Sequence, residues 1–165
     1  DEDDFYEAIA TFKGASKRLE KIAEGTSSIA YKDFAHSPSK VMATTKAVKE
    51  QYPDRKLIAC LELHTYSSFN PEFLKEYKGA LDAADEAVIF FLPESVAIKK
   101  LEAVTPKQIS EAFQRTDLKI FTDAKSFHEF LENQQYKNST LLLMSSGNYG
   151  GFNLDKLQNL MADEK

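Results

Sequence analysis

The sequence predicts an α/β domain: a Rossmann-like, mostly parallel sheet of about five or six strands with helices on both faces. Three observations predict it. From residue 28 onward, short apolar runs alternate with amphipathic stretches, the order that builds parallel sheets through crossover helices. The runs 56–61, 87–91 and 140–144 are almost continuously apolar, as strands covered on both faces are. The chain has 165 residues, 42% of them hydrophobic, which suits one domain with one buried core.

The elements follow in order. Phe5, Ala8, Ile9 and Phe12 form an i, i+3, i+4, i+7 stripe, so residues 4–13 are predicted helical, and Gly14 ends the run. Residues 19–24 alternate weakly, and Gly25-Thr26-Ser27 is a turn before a strand at 28–31; the two strands can pair as an antiparallel hairpin. Pro38 suits a first helical turn, where a missing N–H is no loss, and Val41, Thr44, Thr45 and Val48 give the helix one face up to Gln51. Tyr52-Pro53-Asp54 breaks it. A buried strand at 56–61 follows, then a helix from Pro71 carrying Phe73, Leu74, Tyr77 and Leu81, then a strand at 87–91. Residues 94–104 fit no single pattern. Pro106 opens a helix with Ile109, Ala112 and Phe113, and 118–121 is a short strand. Asp123 caps a helix carrying Phe127, Phe130 and Leu131. The last apolar strand, 140–144, runs into a glycine-rich turn, and a final helix covers about 154–161.

Bulk chemistry narrows the function. A net charge of -5 leaves no basic excess to neutralise phosphates, which argues against a nucleic-acid partner. No apolar run reaches the ~18–20 residues of a membrane span. With one cysteine, Cys60, no disulfide framework forms within the chain, and a reducing, cytoplasmic setting is expected. Cys60 itself reads as a packing residue rather than a nucleophile. The opening Asp1, without methionine, suggests one piece of a larger protein.

Four segments could carry chemistry. Asp33 and His36 fall on a strand-to-helix turn, at the sheet edge where open α/β sheets bind ligands. A carboxylate there can accept both hydroxyls of a ribose, and a histidine at a helix start can donate to phosphate. With equal weight, Asp33 is a surface turn residue and His36 a neighbour of the helix cap. Glu62-Leu63-His64-Thr65-Tyr66-Ser67-Ser68 crowds acid, imidazole and hydroxyls at a second strand end on the same edge; the plain reading is a polar loop. Glu62 and His64 lack a third ligand at metal-site spacing, so no metal site is assigned. Ser145-Ser146-Gly147-Asn148-Tyr149-Gly150-Gly151 has three glycines within five residues and lets a ligand approach the backbone closely, although no Gly-Lys-Ser/Thr makes it a P-loop. Arg18 could clamp a phosphate. His128, between Phe127 and Phe130, reads as structural.

Together these segments resemble the C-terminal domain of the Mur ligases. Phe12-Lys13-Gly14-Ala15-Ser16-Lys17-Arg18-Leu19-Glu20 resembles the family's F-x-x-x-x-R-R-L-E segment, and Asp33-Phe34-Ala35-His36-Ser37-Pro38 its D-[YF]-x-H-H-P segment, with Ser37 in place of the second histidine. Leu63 and His64 depart from and match, respectively, the family's [EQ]-P-[HR] pattern. The stretch 141–151 resembles the M-S-N-G-x-[FY]-G-G ending of the branch that joins UDP-N-acetylmuramate to the tripeptide L-Ala-γ-D-Glu-meso-diaminopimelate in peptidoglycan recycling.

The resemblance implies a three-domain ATP-dependent ligase, of which residues 1–165 are the third domain; the UDP-sugar domain and the central ATPase lie outside this chain. It implies ATP and Mg²⁺ as cofactors, the metal held mainly by the central domain. The muramoyl carboxylate is phosphorylated, and an amine attacks the acyl phosphate. Carried over by position, Arg18, Asp33 and His36 contact the nucleotide, with His36 also near the reacting groups as a catalytic residue. His64, Ser145, Ser146, Gly147 and Asn148 hold the incoming peptide. The partners implied are UDP-N-acetylmuramate, a peptide or amino acid, and the enzyme's own central domain. The alternatives are the family branch that adds L-alanine, a stand-alone α/β binding module without chemistry, and a small metal-dependent hydrolase using Asp33, His36 and His64.

Overall fold

The computed structural model describes residues 19–64, 70–93 and 104–164. Six strands form one sheet: β1 (Glu20–Glu24), β2 (Ile29–Asp33), β3 (Lys56–Glu62), β4 (Glu86–Phe90), β5 (Lys119–Phe121) and β6 (Ser139–Met144). Their order across the sheet is β1-β2-β6-β3-β4-β5. Only β1 runs antiparallel, paired with β2 as the sequence allowed. The other four pairings are parallel. The predicted fold class therefore holds. The sequence-predicted helix at 4–13 and the ambiguous stretch 94–103 lie outside the described residues.

Five α-helices accompany the sheet among the described residues: α1 (Pro38–Gln51), α2 (Pro71–Leu74, prolonged as a 3-10 turn over Lys75–Tyr77), α3 (Pro106–Phe113), α4 (Ala124–Asn133) and α5 (Lys156–Ala162). Alternation within the strands decides where they pack. Tyr31, Leu57, Ala59, Leu61 and Ile89 face one layer, with Val41 and Val48 of α1, Leu74 and Tyr77, and Ile109 and Phe113 of α3. Ala30, Ile58, Cys60, Val88 and Leu143 face the other, with Phe127 and Leu131 of α4 and Leu157 and Met161 of α5. This is the period-2 rule applied to a sheet buried on both sides. Each fully buried aliphatic or aromatic side chain contributes about 1.5–3 kcal/mol by leaving water.

Helix starts are chemically specified. Pro38, Pro71 and Pro106 each occupy a first-turn position. Thr105 and Gln108 form a reciprocal capping box at α3, and the Asp123 carboxylate accepts the Ser126 N–H at 2.7 Å to start α4. The helix from Pro71 is shorter than its apolar spacing suggested. It tightens after Leu74, and Gly79, at φ +77°, turns the chain away before Leu81.

Because five strands are parallel, their carboxyl ends share one rim. The register sets Asp33 opposite Met144, Leu61 opposite Met144, and Glu62 opposite Phe90. Strands β2 and β3 each end one or two residues later than the apolar runs suggested, because an acid closes each. The turn from β1 to β2 lies at the far end, where the Glu164 carboxylate after α5 accepts hydrogen bonds from the Ser27 N–H (2.6 Å) and from the Ser27 and Ser28 hydroxyls (2.8 Å each).

Candidate functional site

Asp33 closes β2 and is 4% exposed. A carboxylate that buried needs donors. It has them locally: Ala35 N–H donates to Oδ1 at 2.7 Å, and Leu19 N–H donates to Oδ2 at 3.0 Å. The Ser145 N–H donates to the Asp33 carbonyl at 3.0 Å, so the β2–β6 ladder continues into the loops. Asp33 is thus neither a free surface turn residue nor an open carboxylate. It ties the start of β1 to the turn that leads into α1.

His36 sits in that turn, half-buried. Its Nδ1 lies 2.9 Å from the Phe34 carbonyl, and the two rings meet edge to face at 5.2 Å. A carbonyl only accepts, so Nδ1 carries a proton in this contact. The His36 carbonyl accepts a hydrogen bond from the Tyr77 hydroxyl, which fixes the backbone ahead of α1. Ser37 caps α1 without a side-chain hydrogen bond.

The glycine loop is held from beneath. Glu62, 4% exposed at the end of β3, accepts the Ser145 hydroxyl (2.6 Å) and the Tyr149 N–H (2.9 Å) on the same oxygen, Oε1. The Ser145 hydroxyl oxygen in turn accepts the Gly147 N–H at 2.7 Å. Gly147 gives the loop room at this approach: a Cβ would lie 3.0 Å from both Glu62 Oε1 and His64 Cγ, a tight contact. Tyr149 takes a left-handed backbone, φ +58°, and its buried hydroxyl donates to the Leu143 carbonyl at 3.0 Å. Burial, with the Glu62 and Asp33 charges adding to it, pushes the Tyr149 phenol well above its ordinary range, so it remains a donor. From behind, His128 Nε2 lies 2.9 Å from the Tyr149 carbonyl. The histidine read as structural supports the loop's back.

A cleft of about 250 Å³ opens between these loops, lined by Lys32, Asp33, Phe34, Ser146, Asn148 and Phe152 among others. The Ser146 hydroxyl oxygen, beside it, is buried with no partner among the described residues. Of the sequence-predicted site residues, Asp33, Ser145, Ser146, Gly147 and Asn148 line this cleft, and His64 meets the loop at Gly147. Arg18 and residues 65–68 lie outside the described residues. Glu62, Tyr149 and Lys32 were not singled out as site residues. Glu62 was legible in principle, since an acid ending a continuous apolar strand must find donors.

The residues present fit the edge of a polar ligand. A carboxylate offers about four acceptor positions, and backbone N–H groups take two of those on Asp33. The orphaned Ser146 hydroxyl and the close-approach backbone at Gly147 suit a ligand with polar groups of its own. Among the described residues no group of three His, Cys, Asp or Glu could hold a metal ion, and no helix is long and apolar enough to cross a membrane. Cys60, 1% exposed in β3, has its thiol pushed far above the ordinary range by burial, with the field of Glu86 adding to it. It packs as a core residue.

The architecture and the sequence both have known relatives. UDP-N-acetylmuramate–L-alanine ligase of Desulfitobacterium hafniense (strain Y51) is 26% identical over 135 residues, which are 82% of this chain and 29% of that protein. The chain therefore spans less than a third of that relative. A crystal structure of a domain assigned to a UDP-N-acetylmuramate:L-alanyl-gamma-D-glutamyl-meso-diaminopimelate ligase of Haemophilus ducreyi 35000HP superposes with a TM-score of 0.60 at 25% identity, covering 88% of this chain and 100% of that one. The murein peptide ligase of Psychrobacter arcticus 273-4 gives a TM-score of 0.68 at 18% identity, covering 89% of this chain and 31% of that one, a likeness of fold. The family model of the Mur ligase glutamate ligase domain matches residues 17–147, and by that match the chain belongs to the Mur ligase family.

Proposed function

We propose that this chain is the C-terminal domain of an ATP-dependent ligase that joins UDP-N-acetylmuramate to L-Ala-γ-D-Glu-meso-diaminopimelate in peptidoglycan recycling. The observation that carries the reading is the meeting of the Asp33 turn, His64 and the 145–149 loop along one rim beside an open cleft. Such convergence at strand carboxyl ends is where doubly wound sheets hold their ligands.

ATP with Mg²⁺ supplies, when bound, the phosphoryl group that activates the muramoyl carboxylate. Within this chain, Arg18 and Asp33 bind the nucleotide, Asp33 by accepting from ribose hydroxyls. His36 would lie near the phosphates or the reacting carboxylate. His64, Ser145, Ser146, Gly147 and Asn148 orient the peptide so that its amine meets the activated carbonyl, an entropic contribution that positioning alone can supply. Closure of the central ATPase domain over this rim would complete the site and exclude water. Phe34 and Met42, 41% and 44% exposed, offer that domain apolar surface near the start of α1. The reaction would run in the cytoplasm.

The L-alanine branch is the second reading, favoured by the relative from Desulfitobacterium hafniense. The Met144-Ser145-Ser146-Gly147-Asn148-Tyr149-Gly150-Gly151 ending favours the tripeptide. Coupled phosphate release by the full-length protein, with ATP, UDP-N-acetylmuramate and either amine, tests both. Turnover with the tripeptide alone upholds the first reading, turnover with L-alanine alone the second. No release with either removes the ligase assignment.

A further inference from the structure

We propose that Glu62 is a positioning residue: its carboxylate fixes the 145–149 backbone against the His64 end of β3, so that two loops from different strands present one preset surface to the amine substrate. The identity of that substrate rests on the ligase reading above; the anchoring itself does not.

Three features carry the inference. First, one oxygen, Oε1, serves two segments of the glycine loop, the Ser145 hydroxyl at 2.6 Å and the Tyr149 N–H at 2.9 Å. The relay from the Ser145 oxygen to the Gly147 N–H at 2.7 Å extends its reach to the loop's tip. A single side chain thereby orders the segment that lines the cleft. Second, the loop needs holding. Tyr149 has φ +58°, a left-handed backbone that a bulky side chain adopts only when its surroundings impose it. Its N–H is held by Glu62, its carbonyl meets His128 and its hydroxyl bonds to Leu143. Third, the loops pack closely. At Gly147 a Cβ would sit 3.0 Å from Glu62 Oε1 and 3.0 Å from His64 Cγ, tighter than ordinary side-chain contact. Moving the Glu62 carboxylate moves the floor beneath Gly147 and the wall formed by His64 together.

A residue of this kind acts through others, so its loss should be felt by the ligand that the loop holds and not by the one bound at the Asp33 turn. In the full-length protein, Glu62→Ala should speed hydrogen–deuterium exchange of peptides covering 145–151 by about tenfold or more, the equivalent of one lost hydrogen-bond anchor. It should raise KM for the amine substrate by a similar factor while KM for ATP stays unchanged. Glu62→Gln, which keeps an acceptor oxygen, should recover most of both effects. Ser145→Ala, which removes the hydroxyl bond to Glu62 and the relay to Gly147 but leaves the Tyr149 N–H on Glu62, should reproduce the exchange effect in a milder form and serves if Glu62→Ala does not fold. Exchange at 145–151 unchanged in these variants, or equal rises in both KM values, would overturn the proposal. If the wild-type protein releases no phosphate with either amine, the ligase reading fails, and the exchange measurements still decide the anchoring role.

Discussion

Asp33 shows how much one side chain can be asked to do. Its two oxygens satisfy the backbone N–H groups of Leu19 and Ala35, and it also lines the cleft. Replacing it therefore has two separable effects. Asp33→Ala leaves two N–H groups without their acceptor, which should cost about 1–3 kcal/mol of stability, seen as a lower midpoint in chemical denaturation. In the full-length enzyme the same change should raise the apparent KM for ATP; an unchanged KM would reduce Asp33 to a structural clasp. The sequence marked Asp33 and His36 as chemistry-bearing because acid and imidazole flank a helix-starting proline. It could not disclose that Asp33 would bond to Leu19, a partner 14 residues away, since that contact depends on β1 folding back beside β2. The anchoring role of Glu62 was hidden for a similar reason: its donors, Ser145 and Tyr149, are more than 80 residues distant in the chain.

At the level of elements, the β1–β2 turn and the end of α5 form a lock remote from the site. The Ser27 N–H, foremost, and the Ser27 and Ser28 hydroxyls hold the Glu164 carboxyl below its ordinary value of 4.5. A carboxyl depressed in the folded state stabilises it above the unfolded value, and this stabilisation is lost as pH falls through the folded value. The stability difference between wild type and Glu164→Gln should thus be fully present at neutral pH, begin to shrink as pH falls past the unfolded value of about 4.3, and vanish only below the depressed folded value. Equal differences across that range would show that the carboxylate charge is irrelevant. Gly25 is part of the same lock. A Cβ there would lie 2.3 Å from the Met161 carbonyl oxygen, so Gly25→Ala should destabilise by about 1–3 kcal/mol through forced backbone shifts, readable by thermal unfolding. The strands and long helices were legible because period and punctuation agree: Pro38, Pro106 and Asp123 each start a helix where the apolar stripe begins. The helix from Pro71 was overestimated, because Leu81 continues the apolar spacing although Gly79 has already turned the chain.

For the whole molecule, two packed layers enclose the central strands so fully that Cys60 becomes a reporter of global opening. With the thiol buried in β3 and its ionisation suppressed, a thiol-specific reagent should label it only at the rate of unfolding. Fast labelling in native buffer would mean that β3 opens locally. Residues 1–165 alone should release no phosphate from ATP with either amine, whereas the full-length protein should. The fold class was readable because a sheet buried on both faces writes continuous apolar runs into its strands. The way its loops meet was not, since loop contacts obey no period.

The hydrogen bond from Leu19 to Asp33 has a mechanical consequence. The backbone immediately after Arg18 is moored to the same carboxylate that borders the cleft. Tension arriving along the polypeptide at Leu19 would be passed, through its N–H, to the Asp33 carboxylate that borders the cleft.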